Sequence, residues 1–186
     1  MLYIIFAFTL PYVAALLSEI LYLISLPVTV IDAIATFTSM IFYIIGFTQL
    51  INESDKFRKA RIIEIVLLVM ELGRFIFAEE IADVFIFGMV QPLMVVAVCF
   101  MKYLIALGTA DMEKKHRTNL FSKELLSAIK VEIALLLSSM LCSFVAMKVE
   151  FLLNFTFILG FASVIAEFFV IFRLIKTYRQ YLEIEE

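Results

Sequence analysis

Residues 84–108 read VFIFGMVQPLMVVAVCFMKYLIALG, a run of 25 positions with a single charge, Lys102. A helix needs roughly 20 apolar residues to cross about 30 Å of hydrocarbon, and this run exceeds that. Outward from it the pattern repeats. Apolar stretches cover about 2–25, 28–50, 62–82, 128–148 and 151–175, which makes six expected spans in one integral membrane domain over residues 1–186. The whole chain is 64% hydrophobic and 18% charged, with mean hydropathy +1.06. Soluble domains are about half apolar and a quarter charged, so the expected solvent is lipid.

Turn signals group the spans in pairs. Ser25-Leu26-Pro27 separates the first two, Glu79, Glu80 and Asp83 the next two, and Lys148–Glu150 the last two. Proline ends one helix and suits the first turn of another. The remaining connections, 53–61 (ESDKFRKAR) and 111–123 (DMEKKHRTNLFSK), are basic, and the tail carries Arg173, Lys176 and Arg179. Lysine and arginine collect on the cytoplasmic side of short loops. The expected fold is therefore all-α: a polytopic six-helix bundle of three helical hairpins, N-in and C-in, in the cell membrane. Residues Asn119–Ile129 are read either as an amphipathic helix at the inner interface or as an extension of the fifth span. The first helix lacks a basic leader and carries Glu19, so no cleavable signal peptide is expected. The Ile-, Phe- and Lys-rich, Trp-free composition suggests a prokaryotic chain.

Charges inside spans locate the candidate site. Glu71 and Arg74 stand mid-way along the third span. Each costs about 2.5–3.5 kcal/mol near a bilayer centre. The dozen or so aliphatic and Phe residues there return only about 0.3–0.6 kcal/mol each, so this helix needs neighbours to insert. Arg61, Glu64, Glu71 and Arg74 fall on one face, two acids flanked by two arginines. Lys102 and Glu167 lie at similar depth, roughly six residues or about 9 Å from the inner ends of their spans, and are candidate partners. The expected intramembrane polar site is thus Glu71, Arg74, Lys102 and Glu167, with Glu64, Glu19 and Gln91 as secondary candidates. A structural reading stands beside it: Glu71–Arg74 as a self-neutralising pair, Lys102 snorkelling to the interface. Gly160, Ser163 and the Ala162/Ala166 pair read as close helix packing.

Enzyme chemistry is not expected. The single histidine, His116, sits in a basic loop between Lys115 and Arg117, so no intramembrane zinc or Ser–His set can form. Glu79-Glu80 resembles the glutamate pair of CAAX-type membrane proteases, but the arginine and histidines which that family requires are missing. Ser138 or Ser139 with Lys102 is the one available serine–lysine dyad. Cys99 and Cys142 lack CxxC spacing and read as packing residues. With five glycines and no phosphate loop, no cofactor or metal is expected. The net charge of −3 argues against a nucleic-acid partner.

Two functional classes remain: an accessory or interaction subunit of a membrane complex, partnering another membrane protein or a second copy; or a solute-binding or transport subunit. The acids Glu19, Asp32, Glu79, Glu80, Asp83 and Glu150 on the expected outer side would suit a small cationic or zwitterionic solute. In size and six-span topology the chain resembles the substrate-binding components of energy-coupling-factor vitamin transporters. The resemblance covers architecture only: where those proteins carry a small-residue docking stripe, Ala14 and Ala15 are followed here by Leu17, Ser18 and Glu19.

Overall fold

The computed structural model describes residues 1–22, 28–76, 84–146 and 151–185. Among them are six helices and no strand: α1 (Leu2–Tyr22), α2 (Val28–Leu50), α3 (Asp55–Ile76), α4 (Val84–His116), α5 (Ser122–Ala146) and α6 (Phe151–Glu185). The turns expected at Ser25–Pro27, Glu79–Asp83 and Lys148–Glu150 lie outside the described residues, as does the side chain of Glu19.

Among the described residues, four helices are long and apolar enough to cross a membrane, over Ile31–Leu50, Val90–His116, Ser122–Ala146 and Phe151–Glu183. Within α1, whose described side chains run to Ser18, the stretch Leu2–Ser18 is apolar, and α3 carries Arg61, Glu64, Glu71 and Arg74, which lower its hydropathy. The helices also reach further than the apolar runs. α4 has 33 residues and α6 has 35, so each is about 50 Å long against a hydrocarbon layer of about 30 Å. The stretch 111–116 and the tail 176–185, read from composition as polar connections, are helix. Ser122 opens an uninterrupted α5, so residues 122–129 extend the fifth helix and do not form a separate interfacial one.

Helices adjacent in sequence pack on one another, α5 on α6 and α1 on α2 most extensively, and a short contact between α1 and α6 closes the set. Packing is tightest at the end bearing the connections 51–54 and 117–121. There Phe57, Ala60, Ile105, Met112, Leu120, Leu125, Ile129 and Leu174 are all fully buried. An aromatic ladder runs from Phe8 through Tyr43 and Phe47 to Phe57. Away from this end the packing loosens. Between Glu132 and Ala146 α5 buries no residue, α6 buries none before Ser163, and α4 none from Val90 to Val98. Apolar side chains left outward on long helices cost nothing in lipid, because tails are as apolar as leucine.

Local chemistry fixes the tight end. Ser54 caps α3, its Oγ accepting from the Lys56 amide at 3.1 Å and donating to Asp111 at 2.6 Å. α4 ends on Lys114, Lys115 and His116, cations that suit a helix C-terminus. Arg117 (φ 53°) and Phe121 (φ 58°) then take left-handed backbone, at about 1 kcal/mol each. Three bonds hold that turn: Phe121 N–H to Asn119 at 3.0 Å, Ser122 N–H to Glu113 at 3.0 Å, and Thr177 Oγ1 to the Leu120 carbonyl at 2.8 Å. His116, expected in a solvated loop, is the last residue of α4. Its Nε2 lies 2.8 Å from Glu53 Oε2, which Lys115 also reaches at 3.0 Å. Partial burial pushes the Glu53 carboxyl up, but these two partners outweigh it and hold it below the usual carboxylate range.

Gly108 gives α4 its close approach to α3: a Cβ there would stand 2.6 Å from Phe57 Cζ, well inside contact distance. Gly108→Ala is expected to destabilise the bundle by about 1–3 kcal/mol by overpacking. Reversible unfolding in mixed micelles measures this; an unchanged midpoint would mean that the ring moves aside freely.

Candidate functional site

Where the tight packing ends, charge begins. Lys102 on α4 is 4% exposed and its ammonium donates to Oε1 of Glu132 on α5 and, at 2.9 Å, to Oε1 of Glu167 on α6. The Phe8 ring of α1 lies under the same nitrogen, 5.0 Å from ring centroid to Nζ, a cation–π contact that favours the charged form. Tyr12 of α1 donates its hydroxyl proton to Oε2 of Glu167 and packs its ring, tilted by 38°, against Phe168, 4.9 Å between centroids. That bond spans the short α1–α6 contact. Tyr43 of α2 lies within electrostatic reach of Tyr12, Glu132, Glu167 and Glu64. Glu64 of α3 is 2% exposed, with no hydrogen bond or ion pair among the described residues.

Each of the six helices thus places one polar residue in the interior at this level: Tyr12, Tyr43, Glu64, Lys102, Glu132 and Glu167. Three of these are carboxyls and one is an ammonium. Glu132 is wholly buried, and its Oε2 has no partner among the described residues. Glu167 is the accessible member, its side chain 21% exposed against 6% for Lys102. Donors for a metal are sparse: among the described residues no group of three or more His, Cys, Asp or Glu is placed to hold one.

The residues expected to form one site fall into two groups. Lys102 and Glu167 meet. Glu71 and Arg74 pair with each other one turn apart on α3, and no hydrogen bond or ion pair joins them to Lys102 or Glu167 among the described residues. The Glu71 side chain is 11% exposed and that of Arg74 is 40%, so the pair sits at the rim of the bundle and satisfies itself locally. Lys102 does not snorkel, since both its partners lie inward. The serine–lysine dyad does not form: Lys102 is taken by two carboxyls, and Ser139 donates to the Thr156 carbonyl at 3.3 Å. Gln91 is exposed, next to Pro92 within α4. Of the expected outer acids, Asp32 has a described partner, Ser18 Oγ at 2.7 Å. Ser163 and Ala166 are buried, and Gly160 faces Ser139 of α5, in keeping with close packing.

Glu132, Tyr12 and Tyr43 are additions to the expected set. Glu132 stands only four residues inside the expected start of the fifth span, next to Lys130, where a carboxylate reads as interfacial. Tyrosines inside apolar runs carry no sequence signal of their own. With α5 starting at Ser122, the depth argument that matches Lys102 with Glu167 extends to Glu132.

Comparison of the chain with protein-family models, with curated proteins and with solved structures gives no match, so its likeness to vitamin-transporter components rests on size and expected span number alone.

Proposed function

We propose that the protein crosses the cell membrane six times as three helical hairpins, with both termini cytoplasmic, and works as a solute-binding or transport subunit. Its intramembrane site is the cluster around Lys102, not the Glu71–Arg74 pair. Lysine and arginine sorting supports the orientation: Arg58, Lys59, Lys114, Lys115, Arg117, Lys123, Lys176 and Arg179 gather at the tightly packed end.

One observation carries the functional reading: a buried ammonium between a wholly buried carboxyl and a half-buried one, with further acid nearby. Moving an ion out of water costs several kcal/mol, and well-packed apolar residues of similar size often give equal or greater stability. Ionisable groups kept at such depth mark ion or substrate handling by default. An excess of acid over base favours a small cationic or zwitterionic solute, and the loosely packed half of the bundle lies beyond the cluster. No cofactor or nucleic acid enters this reading.

A second reading, an accessory subunit that docks on another membrane protein or on its own copy, is favoured by α6. Phe157, Phe161, Phe168 and Phe172 recur on one exposed face, a surface that another helix can cover as well as lipid can.

Gentle purification from the native membrane, followed by mass spectrometry of everything retained, separates the two. The proposal expects a small molecule in stoichiometric amount. A stoichiometric polypeptide in its place favours the accessory reading.

A further inference from the structure

We infer that Glu132 is an intramembrane proton-binding site, holding an exchangeable proton on Oε2. The inference rests on reading this cluster as a cation site and names the cation.

Charge and hydrogen-bond accounting lead there. Lys102 supplies one positive charge and faces two carboxyls. Both oxygens of Glu167 are satisfied, Oε1 by Lys102 and Oε2 by the Tyr12 hydroxyl. Glu132 is satisfied at Oε1 by Lys102, while Oε2 is buried without a partner. In an ionised carboxylate an oxygen left so keeps a desolvation penalty that the Lys102 contact at Oε1 does not offset. A hard metal ion takes about six or more oxygen ligands, and no such set is assembled among the described residues. A proton needs one oxygen.

With Glu132 as the neutral acid and Glu167 as the carboxylate, the Lys102 ammonium is balanced. The groups within reach of Glu132 are Lys102 and Cys99 on α4, Glu167 on α6, Tyr12 on α1 and Tyr43 on α2. Glu64 on α3 reaches Tyr43. On release, the O–H bond at Glu132 breaks and the proton passes to a water molecule entering on the side of Glu167, the member with solvent exposure. Lys102 stays protonated throughout. The cluster then bears one more negative charge once the proton departs, which is a form suited to receiving a cation in exchange.

Infrared spectroscopy of the full chain in lipid nanodiscs, titrated with acid and base in H2O and D2O, tests this. Wild type is expected to show carbonyl bands of protonated carboxylic acids that shift in D2O. Glu132→Gln removes one component and leaves thermal unfolding unchanged, since glutamine copies the neutral acid. Glu64→Gln removes at most a different component. Lys102→Met provides an independent arm: without the ammonium, Glu132 and Glu167 both take protons and the acid band grows. A Glu132→Gln spectrum that superimposes on wild type, or an acid band unchanged in Lys102→Met, overturns the inference. A Glu132-dependent band in a protein that retains no solute leaves the proton assignment standing and removes the solute-binding reading. Retained solute with no such band does the reverse.

Discussion

Lys102→Met is expected to destabilise the folded protein by about 3–5 kcal/mol, the usual result of removing one partner from a buried ion pair. Methionine is near lysine in length and apolar, so contact with the Phe8 ring is kept and the loss isolates charge. Glu132, with no exposure, and Glu167 would then lose the ammonium that both share. Neutralising the acids as well, in Lys102→Met/Glu132→Gln/Glu167→Gln, is expected to restore part of the stability, because no buried carboxyl remains without a counter-charge. Reversible unfolding in mixed micelles gives both values. A Lys102→Met variant as stable as wild type would mean that the cluster carries no net ion pairing. Full recovery in the triple variant without recovery of solute binding would separate the structural cost of the cluster from its use.

Phe57→Ala should have an effect of similar size, about 3–5 kcal/mol, through a different cause. Phe57 is fully buried where α2, α3 and α4 meet, stacked 6.5 Å from Phe47 and pressed on Gly108. Truncation leaves a cavity at the tight end of the bundle, and within a membrane the lost dispersion contacts are not replaced by a solvent term. Gly108→Ala in the same chain is expected to cost less than it does alone, because its methyl group then fills space the ring has left. The double-mutant cycle reads this coupling directly. Strict additivity would show that Gly108 and Phe57 do not share the space the structure gives them.

How much of this was legible in the sequence varies with the physics involved. Helical class and membrane solvent follow from apolar runs such as 84–108, because lipid forces backbone groups to bond within the segment. Helix ends were less legible. Asp111–His116 is polar yet helical, and composition cannot tell a helix that leaves the bilayer from a loop. That error also hid Glu132. With α5 starting at Ser122, the carboxyl is ten residues into the helix, about 15 Å along its axis, whereas a start near residue 128 places it at the surface. Lys102 and Glu167 were legible as partners from depth. Glu71 and Arg74 drew more attention than their geometry supports: at i, i+3 spacing they satisfy each other and need no third helix. Tyr12 and Tyr43 were invisible because which way a tyrosine hydroxyl points depends on helix packing, and the packing order of six helices is not written in one chain.

The most direct measurement is mass spectrometry of what the gently purified protein retains, made in parallel on wild type, Glu167→Gln and Glu71→Gln. The expected result is a small cationic or zwitterionic molecule on wild type and Glu71→Gln, and its loss from Glu167→Gln in material that still folds. Retention by Glu167→Gln with loss from Glu71→Gln would contradict it and return the site to the third helix.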